Sequence, residues 1–518
     1  MDRRAYLFDP RAYADPRVLH GYTLPGVIAA AVAAHGDAPA IVEGPVRLTY
    51  AALDRRAAAL AAALHERGIA RGSVVGLHLP NGWPFLVATI AVARLGAVAL
   101  PLHLPYRAHE LNGLLTWTRA EALICPPAAL DGVRALAAPL LATVIATGPD
   151  FDALLAAHAG ERGPGVDVAP NDPLSLNPTS GTESLRPKIC IHTHDGLLSN
   201  SRALADRAEL TATDRVLCSG GYTHLFGMAA VQMALHAGAS LHVLPAFDAA
   251  AWLEYCEREA VTRAWVVPPQ LIALLAEQTA RPRRLALREI RTGGSAVDAA
   301  FAARVRATLC AQFTIQWGMS EICGGATTLA GTTFARPTLG TPLPDAEVRI
   351  VAGELWYRRA DVFRGYLDDP ETTAATVTGD GWVRTGDLAT LEADGSLAFD
   401  GRTKDIINRG GMKISAYELE ALLATLAPLR QLAVVSIPDA RLGERTVLVC
   451  SLRAGHALAL PEVTAHLDAL GVAKFKWPEQ LIVLDELPAT ATGKVAKSAV
   501  RALVNSAAFL PAPAEVTP

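Results

Sequence analysis

The sequence predicts an α/β protein whose large N-terminal part is a doubly wound arrangement of helices and sheets. Two observations lead to this fold class. Amphipathic helical runs alternate with short apolar runs, and the apolar runs end in small residues or proline. Such alternation favours parallel sheets covered by helices on both faces.

The first third of the chain supplies the clearest elements. Residues 48–68 form an alanine-rich amphipathic run with Thr49 as its N-cap and Gly68 at its end, which predicts a helix. The next segments predict a buried strand, a buried helix and a second strand, at residues 73–82, 85–95 and 97–102. The same strand pattern returns in VLCSGG, SLHVLPA, AWVVPP and LREIRTGG. Open α/β sheets bind ligands at strand ends of this kind.

The pattern of predicted secondary structure changes from about Gly353. Short strands separated by Asp-Gly turns predict a β-rich subdomain there. After Arg402 a compact segment with its own strands and helices predicts a small α+β domain. We therefore predict a large domain at residues 1–402 and a small C-terminal domain at 403–518.

Composition excludes several classes of protein. The 518 residues are 51% hydrophobic and 19% charged, with 47 basic and 51 acidic residues, so a generally basic nucleic-acid binder is excluded. The seven cysteines form no C-x-x-C pair, which argues against a disulfide framework or a structural zinc site. No secretory signal or membrane span is evident. These features predict a soluble cytoplasmic protein.

A segment rich in hydroxyl groups, residues 174–200, is the first candidate for ligand binding. Thr179, Ser180 and Thr182 surround Gly181, and Lys188 follows. Close backbone approach, hydroxyl groups and a positive charge suit phosphate oxygens. The spacing is not that of a Walker P-loop, and a polar surface loop would look similar.

The segment IQWGMSE, residues 315–321, adds a ring, a hydroxyl and a carboxylate. Trp317 could stack on a base, Ser320 could bind phosphate and Glu321 could hold Mg²⁺, which prefers oxygen ligands. The alternative is a strand end followed by a helix that Ser320 caps.

The last third contributes two further candidate segments. Residues 382–420 contain Asp387, Arg402, Lys404 and the pair Gly410–Gly411, and Lys494 follows a glycine in LPATATGK. A lone lysine is nearly always a solvated surface residue.

Taken in order, these segments resemble the signature motifs of the adenylate-forming superfamily of acyl- and aryl-CoA synthetases, nonribosomal-peptide adenylation enzymes and luciferase. Further matches lie at residues 93–111, 222–228, 291–296 and 365–373, so the resemblance covers nearly the whole chain. The sequence looks closest to stand-alone aryl-acid and related carboxylate-activating enzymes.

The resemblance implies two half-reactions. A carboxylate attacks the α-phosphate of Mg·ATP to give an acyl-adenylate and pyrophosphate, and a thiol of CoA or of carrier-protein phosphopantetheine then displaces AMP. A small domain that rotates between the half-reactions is implied as well, which makes the C-terminal domain mobile.

The resemblance also implies roles for individual residues. Catalytic roles fall on Lys494, Lys188 and Glu321, with Glu321 as the Mg²⁺ ligand. The hinge would be at Lys404, and Gly411 would line the thiol tunnel. ATP and AMP would be bound by Thr179, Ser180, Gly181, Thr182, Gly294, Ser295, Trp317, Gly318, Ser320, Asp387 and Arg402.

The acid would occupy a pocket near the nucleotide. Its expected walls are His224, Phe226, Gly227, Met228, Gly293, Met319, Gly324 and Gly325. The sequence has apolar Leu225 where hydroxybenzoate-activating relatives carry Asn, and YTHLFGM lacks the Asp that amino-acid-activating relatives use. We therefore expect an apolar acid without an amino group, either aromatic, alicyclic or short to medium aliphatic.

The phosphate loop departs from the family pattern. It reads TSGTESLRPKI, with Glu183 and Ser184 replacing Thr-Gly and one residue inserted before Pro187. Which hydroxyl groups touch the β- and γ-phosphates is therefore open.

Three functions remain as alternatives. The favoured one is an acyl- or aryl-CoA ligase; the second is a stand-alone enzyme that loads a carrier protein; the third is a catalytically weak acyl- or nucleotide-binding protein. The retained Glu321, Asp387, Arg402 and Lys494 argue against the third. A homodimer is left open.

Overall fold

The computed structural model describes residues 19–179, 188–410, 412–439, 441–490 and 494–505. The chain enters the fold through α1 (Leu24–His35), β1 (Pro39–Glu43), β2 (Val46–Thr49), α2 (Tyr50–Glu66), β3 (Val74–Leu77), α3 (Trp83–Arg94), β4 (Val98–Pro101), α4 (Ala108–Trp117), β5 (Ala122–Cys125), α5 (Leu130–Arg134), β6 (Thr143–Ala146), α6 (Pro149–Ala157) and β7 (Pro173–Pro178).

The predicted elements of this first part are confirmed. Thr49 caps α2, because its hydroxyl accepts a hydrogen bond from the Ala52 N–H at 3.2 Å. The two predicted strands are β3 and β4, with α3 between them.

The second part carries β8 (Ile189–Thr193), α7 (His194–Arg207), β9 (Arg215–Cys218), α8 (Leu225–Ala237), β10 (Ser240–Val243), α9 (Ala249–Arg258), β11 (Arg263–Trp265), α10 (Pro268–Ala280), β12 (Glu289–Gly293), α11 (Ala299–Thr308) and β13 (Phe313–Trp317). It continues with β14 (Ala326–Thr327), β15 (Thr338–Pro342), β16 (Glu347–Val351), β17 (Glu354–Arg358), α12 (Pro370–Thr376), β18 (Val383–Leu391) and β19 (Leu397–Arg402).

Two sheets organise these elements. A six-stranded sheet has the order β6-β5-β3-β4-β7-β8, and a 13-stranded sheet has the order β16-β17-β18-β19-β15-β14-β13-β12-β11-β9-β10-β1-β2. Strands β3, β4 and β5 are buried along their whole length, as parallel strands covered by helices on both faces are. The predicted α/β class with doubly wound sheets is confirmed.

The β-rich region is continuous with the larger parallel sheet. Strands β1 and β9 to β13 pair in parallel, whereas β14 turns back antiparallel to β13 and begins the antiparallel half. This half therefore starts at Ala326, earlier than the predicted change at Gly353. The sequence does not show the start of the β-rich region at Ala326, because the first antiparallel strand, β14, has only two residues.

The C-terminal part forms a separate sheet. It contains β20 (Ile406–Arg409), β21 (Met412–Ser415), α13 (Ala416–Leu423), β22 (Leu429–Asp439), β23 (Gly443–Leu452), α14 (Leu460–Ala469), β24 (Gln480–Val483) and α15 (Lys497–Val504). The strand order is β21-β20-β23-β22, and β24 pairs with β23. A 3₁₀ turn at Thr403–Asp405 connects the last strand of the large sheet to this small sheet.

Two further features bear on the sequence expectations. All seven cysteines are free and buried. Among the helices that the structure describes, none combines the length and the apolar character needed to cross a membrane.

Candidate active site

The carboxyl ends of three parallel strands form the floor of the candidate site. β9 ends at Cys218, β12 at Gly293 and β13 at Trp317, and Gly293 pairs in register with Gln316. Parallel strands present their carboxyl ends at one edge, so the segments that follow them meet there. Nine of the 19 predicted nucleotide and acyl residues lie in those segments, at 219–228, 294–295 and 318–321.

Close backbone packing explains two glycines of this floor. A Cβ on Gly293 would lie 2.7 Å from the Gln316 carbonyl oxygen and 3.1 Å from Cε2 of Phe226. A Cβ on Gly227 would overlap the carbonyl oxygen of Gly221. The Phe226 ring therefore lies over the end of β12, in the wall predicted for the acid.

Residues 318–325 form a tight turn between β13 and β14. The Met319 carbonyl accepts hydrogen bonds from the N–H groups of Ile322 and Cys323, at 3.1 and 2.8 Å. Ser320 and Glu321 lie within this turn, and no helix begins at Ser320. The alternative in which Ser320 caps a helix is therefore wrong.

Asn200 fixes the same turn from α7, a role that sequence reasoning missed. Its fully buried side chain donates to the Gly324 carbonyl at 2.8 Å and accepts from the Gly324 N–H at 3.2 Å. It also donates to Asp361 at 2.9 Å. Gly324, a predicted acyl-pocket residue, is thus held by a residue more than 120 positions earlier.

Trp317, Asp387 and Arg402 come together although they are far apart in sequence. The Trp317 indole N–H donates to Asp387 Oδ2 at 2.8 Å. Arg402 Nε lies 2.8 Å from Asp387 Oδ1, at ion-pair distance but without hydrogen-bond alignment. Asp387 is only 2% exposed, and it faces Arg402 across the β18–β19 pair. Asp387 and Arg402, the two predicted ribose ligands, therefore lie next to Trp317, the ring predicted to stack on adenine.

The predicted phosphate loop connects β7 to β8. Its two ends are joined by the Thr179 N–H, which donates to the Lys188 carbonyl at 2.8 Å. Lys188 is exposed at the start of β8. The predicted ligands Ser180, Gly181 and Thr182, and the unusual Glu183 and Ser184, lie outside the described residues.

Glu321 is a buried carboxylate, 7% exposed. Burial raises the pKa of this carboxyl, and the hydroxyl of Tyr366 donates to Oε1 at 2.5 Å, which opposes the rise. A buried carboxylate is costly unless a positive charge compensates it, and hard cations prefer carboxylate oxygens. Glu321 therefore fits the predicted Mg²⁺ ligand.

Lys494 reaches from the small domain into the strand ends of the large one. Its ammonium group donates to the carbonyl oxygen of Gly294, 200 residues earlier. Burial, with a smaller contribution from the charge of Arg402, lowers the pKa of Lys494 to about 8. Gly294 has a φ of +81°, which favours glycine at this contact.

His224 belongs to a stack of neutral rings beside Lys494. The rings of His224 and His103 are stacked with their centroids 3.9 Å apart, and His103 Nδ1 lies 2.8 Å from the Thr223 hydroxyl. Burial lowers the pKa of His224 to about 4 and that of His103 to about 3. The repulsive charge of Lys494 adds to the shift of His224. Both rings are therefore uncharged near neutral pH.

Met228 lies in a different wall from Phe226. It lines an apolar pocket between α1, α3 and α8, together with Leu24, Phe85, Leu86, Thr89, Ile90, Val231, Gln232 and Leu235. Residues two positions apart on a helix point about 200° apart, so Met228 faces away from the ring of Phe226.

The predicted hinge and tunnel positions follow the large sheet. Lys404 lies in the 3₁₀ turn between β19 and β20. Its neighbour Asp405 is 3.5 Å from Lys497 and 3.4 Å from Arg501, both on α15. Gly411 lies outside the described residues.

Family models match both parts of the chain. The AMP-binding enzyme family matches residues 28–367, and the AMP-binding enzyme C-terminal domain matches residues 418–494.

Individual relatives match along most of their length. The chain is 33% identical over 511 residues to 2-hydroxy-7-methoxy-5-methyl-1-naphthoate–CoA ligase of Streptomyces carzinostaticus, covering 90% of each protein. It is 33% identical over 500 residues to the salicyl-AMP ligase / salicyl-S-ArCP synthetase of Mycobacterium tuberculosis, covering 91% of this chain and 87% of the relative. Its structure resembles ATP-bound MatB from Rhodopseudomonas palustris, with a TM-score of 0.86, 27% identity, and coverage of 94% and 100%.

Proposed function

The chain belongs to the AMP-binding enzyme family, and on that basis we propose that it is an AMP-forming carboxylic acid–thiol ligase. The enzyme joins a carboxylic acid to AMP with release of pyrophosphate, and then transfers the acyl group to the thiol of CoA. Adenylation is needed because a carboxylate has no good leaving group, and AMP provides one.

The observation that carries this proposal is the contact between Lys494 and Gly294. A lysine of the small domain donates to the end of β12, beside Trp317, Asp387 and the ring of Phe226. An ammonium group at this point can bridge the acid carboxylate and the α-phosphate and neutralise charge as the bond forms. This contact supports adenylation as the step that Lys494 serves.

The remaining polar residues bind and orient the nucleotide. Asp387 can accept hydrogen bonds from ribose hydroxyl groups, Arg402 holds that carboxylate in place, and Lys188 adds positive charge at the phosphate end. A magnesium ion bound at Glu321 would neutralise phosphate charge.

We propose a carbocyclic, aromatic acid without an amino group as the substrate. Neutral His224 and the Phe226 ring give the acid side an uncharged surface. The two relatives described above are named for a naphthoate and a salicyl group, both of them aromatic acids.

CoA is the favoured acceptor, and a carrier-protein phosphopantetheine is the alternative. The name of one relative contains CoA, whereas that of the other contains a carrier-protein thioester. Lys474 and Lys476 could meet either the phosphates of CoA or an acidic carrier protein, so they do not discriminate between the acceptors; Lys476 pairs with Glu418 at 2.7 Å, and Lys474 lies 5.7 Å from the Trp477 ring centroid. CoA is favoured because the naphthoate relative, which matches over 90% of this chain, is named as a CoA ligase.

Pyrophosphate release across a panel of acids tests the proposal. The panel pairs benzoate, naphthoate and salicylate with cyclohexanecarboxylate, hexanoate and phenylalanine, each with CoA or with a phosphopantetheinylated carrier protein. We expect release with aromatic acids and thioester formation with CoA. If none of the acids in the panel caused pyrophosphate release, the ligase function would be contradicted. Thioester formation on the carrier protein alone would favour the alternative acceptor.

The pKa of Lys494 predicts how adenylation depends on pH. The charged ammonium is the useful form, and its pKa near 8 means that this form disappears as pH rises through about 8. We expect kcat/KM for ATP to fall above that pH, since this constant reports the free enzyme. The fall in kcat should come at higher pH, because bound phosphates favour the ammonium form.

Lys494→Arg is the control for this pH profile, since a guanidinium group stays charged throughout the range. Its kcat/KM is expected to be lower but flat up to pH 9.5. A wild-type profile that is flat to the same pH would contradict the role given to Lys494.

Gly411→Leu is expected to spare adenylation and stop thiol transfer. The position was assigned to the thiol tunnel by resemblance alone, and a branched side chain there would fill the path of pantetheine. Pyrophosphate exchange and acyl-CoA formation are measured on the same preparation. Normal acyl-CoA formation in this variant would remove Gly411 from the tunnel.

A further inference from the structure

Tyr366 lies between Glu321 and Lys188, the two charged residues expected to meet the magnesium and phosphates of ATP. No role was assigned to it from the sequence. Its hydroxyl donates to Glu321 Oε1 at 2.5 Å. The ammonium nitrogen of Lys188 lies 5.1 Å from the centroid of its ring. One side chain, itself 6% exposed, therefore contacts both an anionic and a cationic group of the candidate site.

The backbone holds Tyr366 firmly against β8. The Ile191 N–H donates to the Gly365 carbonyl at 3.0 Å, and the Leu367 N–H donates to the Ile189 carbonyl at 2.9 Å. The Tyr366 N–H in turn donates to the Thr373 hydroxyl at 2.9 Å. Residues 364–367 thus run beside the strand that begins just after Lys188, so the backbone of Tyr366 is fixed relative to the start of β8.

We propose that Tyr366 is a positioning residue that keeps Glu321 and Lys188 apart and correctly oriented for the magnesium and phosphates of ATP; this rests on the proposed function. The hydroxyl fixes one oxygen of Glu321 and leaves the other for the cation. The ring offers its π face to Lys188, an attractive contact for an ammonium group.

The main consequence of this placement of Tyr366 is that the carboxylate of Glu321 and the ammonium group of Lys188 stay apart. Glu321 and Lys188 contact the same side chain, Glu321 at the hydroxyl of Tyr366 and Lys188 at its ring. Without the intervening ring, the two could form a direct ion pair, which Mg·ATP would have to break before binding. Tyr366 prevents that pairing and leaves both charges available to the ligand.

The hydroxyl and the ring can be tested separately. Tyr366→Phe keeps the ring and removes the hydrogen bond to Glu321, so we expect the Mg²⁺ concentration for half-maximal activity to rise at least fivefold. ATP affinity measured by calorimetry in EDTA should stay within twofold of wild type. Tyr366→Leu removes the ring as well, so ATP affinity in EDTA should also fall at least fivefold.

Phe363→Leu is the matched control, because Phe363 packs against Tyr366 with a centroid distance of 4.9 Å. It should change neither the Mg²⁺ dependence nor ATP affinity by more than twofold. The positioning role is overturned if Tyr366→Phe has the wild-type Mg²⁺ dependence, or if Phe363→Leu reproduces the effects of Tyr366→Leu. Failure of wild type to bind ATP in the calorimeter would instead refute the proposed function.

Discussion

We expect Lys494→Ala to slow acyl-adenylate formation at least 100-fold, measured as the rate of pyrophosphate release. The truncated side chain can no longer reach the Gly294 carbonyl or the strand ends beside it. Loss of one preorganised group that stabilises developing charge costs roughly 10²–10³ in kcat, or about 3–4 kcal/mol.

The same variant should still convert a supplied acyl-adenylate and CoA into the thioester. This expectation follows from the proposed division of roles, in which the lysine serves the first half-reaction and is withdrawn when the small domain rotates for the second. Both rates are measured in one preparation, with Lys413→Ala as a control for loss of an exposed lysine from the small domain. Equal loss of both half-reactions in Lys494→Ala would refute the division of roles.

The fold was largely predictable because it depends on local patterns. The N-cap at Thr49, the alanine-rich run of α2 and the apolar strands β3 and β4 all follow from residues adjacent in sequence. The continuity of the larger sheet was missed because it depends on a two-residue strand, β14, which is too short to show a periodic signal.

The supporting contacts of the site could not be predicted in the same way. Asn200 reaches Gly324, and His103 stacks on His224, each across more than 100 residues. A polar side chain within a helix or loop gives no sign of such a partner until the fold is known. Tyr366 lay inside a segment that matched the family, but its position between Lys188 and Glu321 appears only in three dimensions.

The opposite orientations of Phe226 and Met228 could have been predicted from helix geometry alone. Phe226 and Met228 were both assigned to the acid pocket, yet they are two positions apart on α8. At about 100° per residue, such positions lie on nearly opposite faces. Helical spacing would therefore have separated Phe226, beside Gly293, from Met228, in the apolar pocket between α1 and α3.

Gly318→Ala is the second large effect that the structure predicts, and it acts through the backbone. A Cβ at this position would overlap the carbonyl oxygen of Cys323 and lie 2.8 Å from its carbonyl carbon. Backbone atoms cannot rotate away as a side chain can, so the turn at 318–325 must shift. Overpacking of this kind costs about 1–3 kcal/mol.

The shift matters because the turn carries Ser320 and Glu321, and it also carries Gly324, which Asn200 holds in place. We expect the KM for ATP to rise at least tenfold and pyrophosphate release to fall at least 100-fold. Gly113→Ala is the control, since a Cβ there meets nothing within 4 Å and alanine favours helix α4. Normal ATP kinetics in Gly318→Ala would mean that the turn tolerates displacement and does not set the geometry of the nucleotide site.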